Sequence, residues 1–356
     1  MKKSHYFKSM PKKKFIISVV IPLGLVICIL AMLILIANTY LDKIDIRGDE
    51  DESIVSIPDD LSGMSDADRA RLEQQIRENI ENNTQPLMFN KDVTNILFIG
   101  TDIRSQSEGR GRSDSMILIS INKKTSKIIA TSFLRDIYLQ IPGVSQGDRL
   151  NSAYAYGGAP LLFKTLEQNF KIQVDKYVSV NFFSFINIID IIGGIELDLT
   201  SAEVRVANDY IKEINGLTGK PAGDGLLTAS GKQTVSGKQA LGYARNRYIG
   251  NGDFSRTDRQ RVVLEKIFDK VKTMGIIELN SLLNSILPEV TTNLQKGELF
   301  SMILSAPSYL KYSLESWHVP VEGSFEYLTV HGMSVIEVDF SANIAELQER
   351  IYGEVS

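Results

Sequence analysis

Apolar positions along the chain are arranged in three different ways. Residues 15–37 are 23 consecutive uncharged, mostly apolar positions. As a helix this run reaches about 34 Å at ~1.5 Å per residue, enough for a ~30 Å hydrocarbon core. Residues 38–60 are acidic and lack apolar periodicity, so they read as a linker. Ser65 and Asp68 then predict a helix start before the highly charged run 69–76, a spacer. From Thr94 the character changes, and short apolar runs alternate with helical periods. Runs 95–100, 116–121 and 127–134 read as strands, the first buried on both faces. Residues 161–170 and 182–192 read as helices, 177–180 as extended, and 195–199 as a strand after the Gly193-Gly194 stop. Residues 253–272 form a long amphipathic helix, and 276–294 and 299–310 read as helical, with Pro288 a break or kink. Interleaved strands and helices predict one domain of α/β (α+β mixed) class, a central mixed sheet flanked by helices. Residues 276–356 are expected to pack on that same domain.

Charge sets the topology. Residues 1–14 carry six lysines and no acid, whereas Asp42, Asp45, Asp49, Glu50, Asp51 and Glu52 face only Lys43 and Arg47 after the apolar run. Basic flanks stay cytoplasmic, so the N-terminus is expected inside and the rest of the chain outside. The run exceeds the roughly 7–15 apolar residues of a signal peptide, and Ala37-Asn38-Thr39 is a poor cleavage site. The expectation is an uncleaved, single-pass cell-membrane anchor. Composition narrows the rest. There are 39 basic and 43 acidic residues, a net charge of -4 that argues against a general nucleic-acid binder. The single cysteine, Cys28, permits no intramolecular disulfide, which for an extracytoplasmic domain fits a bacterium. Three scattered histidines do not make a zinc motif, and neither familiar phosphate loop is present.

Four constellations carry candidate chemistry. Asp102 ends one predicted strand and Asp114 precedes the next, with Arg104, Arg110 and Arg112 around them. Two carboxylates at one sheet edge repel unless a cation or donor lies between them, and Mg²⁺ takes one or two carboxylates plus water and phosphate oxygens. The alternative is a polar loop with solvated ion pairs. Arg135-Asp136 closes an apolar strand, where a rim salt bridge is the simpler reading. The densest cluster holds Arg245 and Arg247, on one side if that segment is extended, then Asp253, Arg256, Arg259 and Gln260 on the next helix. Arginine forks and a helix N-terminus suit a polyanion such as pyrophosphate. A plain charged helix accounts for Asp258 and Arg261 but supplies too few acids for the four arginines. Finally, 181–192 is apolar nearly all round, which fits a core helix or a lipid groove containing Phe182, Phe185 and Ile189.

In order, these pieces resemble the LytR-CpsA-Psr family of bacterial cell-envelope enzymes. The matching residues are 95–104, 112–116, Arg135-Asp136 with Ile141-Pro142-Gly143, Arg149 to Ala153 with Gly157-Gly158, Gly193-Gly194, 240–247, and 252–256 with Arg259-Gln260. The resemblance covers about 92–275, plus the anchor. Leu134, Arg149 and Ser255 depart from residues the family often has (Pro, Lys and Gly), and none of these changes removes a charge the chemistry needs. The resemblance implies a phosphotransferase that moves a glycopolymer from a polyprenyl-pyrophosphate carrier to peptidoglycan, making a phosphodiester. It implies Mg²⁺, with Mn²⁺ as an alternative, on Asp102 and Asp114. Arg104, Arg112, Arg135, Arg245, Arg247, Arg256, Arg259 and Gln260 would grip the pyrophosphate. Arg135, Asp136 and Asp253 are the catalytic candidates, one of the acids taking the acceptor proton, and Phe182, Phe185 and Ile189 would shelter the polyprenyl tail. Two rival readings are a polyisoprenoid-binding regulator without catalysis and a lipid pyrophosphatase.

Overall fold

The strand β2 (Val93–Thr101) forms where the apolar run is densest. Leu97 and Ile99 are fully buried on one face, and Ile96 is buried on the other. Phe98 on that second face is exposed, so the expected two-sided burial holds only in part. Burying each such aliphatic chain contributes about 1.5–3 kcal/mol. In this computed structural model the described residues are 45–46, eight positions within 70–81, 86–102, 111–174, 176–274, 285, 287–330 and 332–353. They belong to one compact unit, Ile44–Ser356. The expected membrane anchor at 15–37, most of the linker and Arg104 lie outside the described residues. Among the described residues no helix is long and apolar enough to cross a membrane.

The main sheet is mixed. Its members are β1 (Asp45–Ile46), β2, β3 (Ser113–Asn122), β4 (Lys127–Phe133), β7 (Lys176–Val180), β10 (Thr291–Thr292) and β11 (Ser313–Val319). Their spatial order is β1-β10-β7-β2-β3-β4-β11. Strand β3 runs antiparallel to β2 and β4, while β7 is parallel to β2 and β11 parallel to β4. The carboxyl ends of β2, β4, β7 and β11 therefore meet the start of β3 at one edge. Smaller hairpins are β5 (Tyr138–Gln140) with β6 (Gly147–Arg149), β8 (Ile195–Leu199) with β9 (Gly231–Val235), and β12 (Phe325–Val330) with β13 (Met333–Val338).

Two main cores form. The first packs the sheet against α1 (Leu150–Phe170) and α7 (Phe340–Leu347). Helix α1 begins eleven residues before its expected start and has non-helical backbone at Gly157 and Gly158. The second joins α2 (Phe182–Ile191), β8, α3 (Ser201–Leu217), β9 and α4 (Gly237–Ala244). Helix α5 (Gly252–Thr273) bridges them, with Phe254 in the first core and Val263 in the second. Helix α6 is Lys296–Tyr309. The expected helix over 276–294 is corrected at its end: 287–289 form a 3-10 turn, and Thr291–Thr292 pair with β7. Residues 275–284 lie outside the described set.

Candidate functional site

At the shared sheet edge, β4 ends in a turn that carries Arg135 and Asp136. Backbone bonds pin this turn from two sides. Asn151 N–H donates to the Arg135 carbonyl at 3.2 Å, and Ile336 N–H to the Asp136 carbonyl at 2.8 Å. The Arg135 guanidinium then lies among three carboxylates. Nη1 meets Asp114 Oδ1 at 2.6 Å, and Nε is 3.4 Å from Asp253 and 3.6 Å from Asp136. Arg149, the residue capping α1, reaches Asp136 at 3.4 Å. Arg256, buried in the first turns of α5, lies 2.9 Å from Asp253 and donates to the Asp114 carbonyl at 3.2 Å. Three arginines and three aspartates thus share one partly dry cluster. It draws on β3, the β4 turn, α1 and α5, which only this topology brings together.

The electrostatics follow from that crowding. Burial opposes the charge on Arg135, but Asp114, Asp253 and Asp136 overcome it and raise its pKa above the ordinary arginine value. Burial pushes the Asp253 carboxyl up, with Arg256 and Arg135 pulling the other way. Burial pulls Arg256 down, with Asp253 the main offset. Nearby, burial and a bond to Asp148 push the Tyr156 phenol up to about 12. Nε of Arg135, Arg149 and Arg256 are buried with no hydrogen-bond partner among the described residues, although each guanidinium is ion-paired.

The other predicted residues divide into several groups. The segment 245–247 is not extended: Arg245 continues the helical turn as the cap of α4. Its guanidinium is sandwiched, 4.9 Å from the Phe182 ring and 4.6 Å from the Tyr210 ring, and meets Glu213 at 3.3 Å. Arg247 is exposed, within electrostatic reach of Arg135 and beside Tyr248. Arg259 is buried with all three nitrogens engaged. Nε and Nη2 meet Glu203 at 3.0 Å, and Nη1 donates to the carbonyls of Asn246 and Ile249 at 3.1 Å. It braces the loop that carries Arg247. Gln260 is half-buried on α5. Phe185 is half-buried, whereas Ile189 is fully buried in the second core.

Asp102 and Asp114 flank the paired residues Thr101 and Ser113 beside a bulge in the β2–β3 ladder. Asp102 Oδ1 accepts the Arg112 N–H at 2.9 Å, and Asp114 Oδ1 faces Arg135. Their donor set of hard oxygens on adjoining strand ends fits Mg²⁺. Among the described residues no three His, Cys, Asp or Glu side chains are placed to hold one metal ion. An ion here would rely on these two carboxylates plus water and substrate oxygens.

The sequence pattern of the LytR_cpsA_psr family matches residues 60–350. The chain belongs to the LytR-CpsA-Psr family. It is 35% identical over 218 residues to the polyisoprenyl-teichoic acid–peptidoglycan teichoic acid transferase TagU of Enterococcus faecalis, covering 60% of this chain and 64% of that one. It is 31% identical to the biofilm regulatory protein A of Streptococcus mutans, covering 73% of this chain and 63% of that one. The matches therefore span a little under two thirds of these two relatives. Among solved structures it resembles the family protein YwtF (TagT) with bound octaprenyl pyrophosphate lipid. There the TM-score is 0.54 at 26% identity, over 74% of this chain and 93% of that one.

In this LytR-CpsA-Psr chain, sequence reading gave no role to Arg149, Glu203, Tyr210 and Glu213. Glu203 had a visible signal. Thr200-x-x-Glu203 is a capping box, with Thr200 Oγ1 accepting from Glu203 N–H and Glu203 accepting from Thr200 N–H.

Proposed function

We propose that the chain is a membrane-anchored phosphotransferase that moves a glycopolymer from a polyprenyl-pyrophosphate carrier to peptidoglycan. The polymer is a wall teichoic acid or a capsular polysaccharide. The observation that carries this reading is the Arg135 cluster: paired carboxylates and arginines gathered at one sheet edge, in a chain whose family includes a named teichoic acid transferase. An acceptor hydroxyl oxygen attacks the phosphorus attached to the polymer, and the bond from that phosphorus to the polyprenyl phosphate breaks. The products are a phosphodiester on peptidoglycan and polyprenyl monophosphate. Positioning and charge neutralisation are most of the work in such a transfer.

Arg135 and Arg247, with Arg104, Arg112, Arg245, Arg256 and Gln260, bind the pyrophosphate, and Arg259 positions the loop that presents Arg247. Asp253 takes the hydroxyl proton, since burial makes its carboxylate a stronger base than usual, and Asp136 lies beside the same guanidinium. Asp102 and Asp114 would hold Mg²⁺, which when bound would neutralise charge on the phosphoryl oxygens. Phe182 and Phe185 border the polyprenyl tail, with Ile189 behind them. The anchor at 15–37 holds the catalytic unit, 92–275 with its 276–356 extension, outside the cell membrane. The test is to incubate the full-length chain in detergent with lipid-pyrophosphate glycopolymer, peptidoglycan and Mg²⁺. Polymer covalently attached to peptidoglycan is expected. Phosphate released to water would instead make it a pyrophosphatase, and binding without turnover a regulator.

A further inference from the structure

Strand β12 carries two rings on the face turned from its own small core. Leu328 and Val330 pack with Ile76, Tyr138 and Val335. By the two-residue strand period, Phe325 and Tyr327 occupy the opposite face. Phe325 stacks on Phe254 with centroids 4.7 Å apart, and Tyr327 meets Phe325 edge-on at 5.8 Å and Phe254 at 6.4 Å. Phe254 is buried and directly follows Asp253. The second attachment is through the backbone. Tyr327 pairs across the ladder with Ile336, whose N–H donates to the Asp136 carbonyl. Two independent attachments thus hold one ring beside Asp136 and Asp253, and the field of both carboxylates reaches its phenol. Scattered surface aromatics are common and need no function. This one stays 50% exposed although it is held by Phe254, which follows Asp253, and by Ile336, which bonds the Asp136 carbonyl.

Charge decides which reactant meets that ring. The donor's pyrophosphate is assigned to the arginines, whereas the charges whose field reaches Tyr327 are the carboxylates of Asp136 and Asp253. The acceptor brings a neutral hydroxyl on a pyranose, whose C–H face is apolar and packs on an aromatic face. We propose that Tyr327 forms the acceptor subsite, stacking under a sugar ring of the peptidoglycan glycan so that its hydroxyl points at Asp253 and Asp136. This assignment rests on the transferase reading above.

The experiment measures KM for donor and acceptor separately. It uses the full-length chain in detergent and soluble glycan strands of alternating N-acetylglucosamine and N-acetylmuramic acid. Tyr327→Ala and Tyr327→Leu should raise the acceptor KM about three- to tenfold, the range an aromatic contact supports. Donor KM and kcat should stay within about twofold, and Tyr327→Phe should stay near wild type, because the ring does the packing. The leucine variant keeps the test open should the alanine variant not fold. An unchanged acceptor KM in the leucine variant, or a donor KM rising in step, overturns the subsite. If the wild-type chain transfers nothing, the transferase reading has failed separately. Calorimetric titration with the glycan strands alone then decides: binding that weakens in Tyr327→Leu supports the subsite, and no binding overturns it.

Discussion

Arg135 is the hinge of the charge balance, because three carboxylates face one guanidinium. Arg135→Ala leaves Asp114 without its guanidinium partner, and Asp136 and Asp253 with only Arg149 and Arg256 to balance them. Removing one partner of a buried ion pair costs about 3–5 kcal/mol, and the lower end suits a side chain that keeps 15% of its surface. Urea unfolding should show that loss, and Arg135→Lys should recover part of it while losing the fork. Asp253 makes a pH prediction. Its unfolded value is the ordinary 3.8, and burial raises the folded one. The stability linked to its proton is therefore complete below the ordinary value and is lost as pH rises through the raised folded value. The proposed base must be ionised, so kcat should climb with pH across that same raised value. Asp253→Asn should abolish this limb of the pH–rate profile. If the limb persists in that variant, the proton goes elsewhere.

Elements that declare themselves by apolar density were legible, and those set by capping and packing were not. Strands β2, β3 and β4 follow directly from runs rich in Ile and Leu. Helix α3 goes unmarked because its apolar face is narrow, although Thr200 and Glu203 announce its start, as Ser236 and Gln239 do for α4. The first half of α1 lacks an apolar period and is broken by two glycines. Thr200→Ala should cost about 1 kcal/mol in urea, the ordinary value of such a cap. Glu203 adds an acid limb. Burial raises its carboxyl, but the Thr200 N–H and hydroxyl and then Arg259 outweigh this and lower it. Its stabilisation is thus present above the ordinary 4.5 and is lost as pH falls through the lowered folded value. Glu203→Gln should flatten stability against pH over that window. Helices α2 and α4 approach so closely that a Cβ on Gly237 would sit 2.1 Å from the Ile186 carbonyl oxygen. Gly237→Ala should therefore force them apart and cost more than the ~1–3 kcal/mol typical of overpacking. Thermal unfolding would read it.

Across the whole molecule, the sequence shows where charged residues cluster along the chain but not how they pair. The four arginines of 245–259 look alike along the chain. In the fold Arg256 joins Arg135, Arg245 is clamped between two rings, Arg259 is consumed by Glu203 and loop carbonyls, and Arg247 faces outward. Pairing across more than a hundred residues depends on strand order, which local pattern does not encode. In the proposed function, the edge where β2, β4, β7 and β11 end grips a pyrophosphate through Arg135 and Arg247. Calorimetric titration of the full-length chain in detergent with a polyprenyl pyrophosphate tests it most directly. A charge-assisted contact contributes roughly 1.5–3 kcal/mol, so Arg135→Ala and Arg247→Ala should each weaken binding about ten- to hundredfold. Unchanged affinity in both variants would reduce the cluster to a set of structural ion pairs.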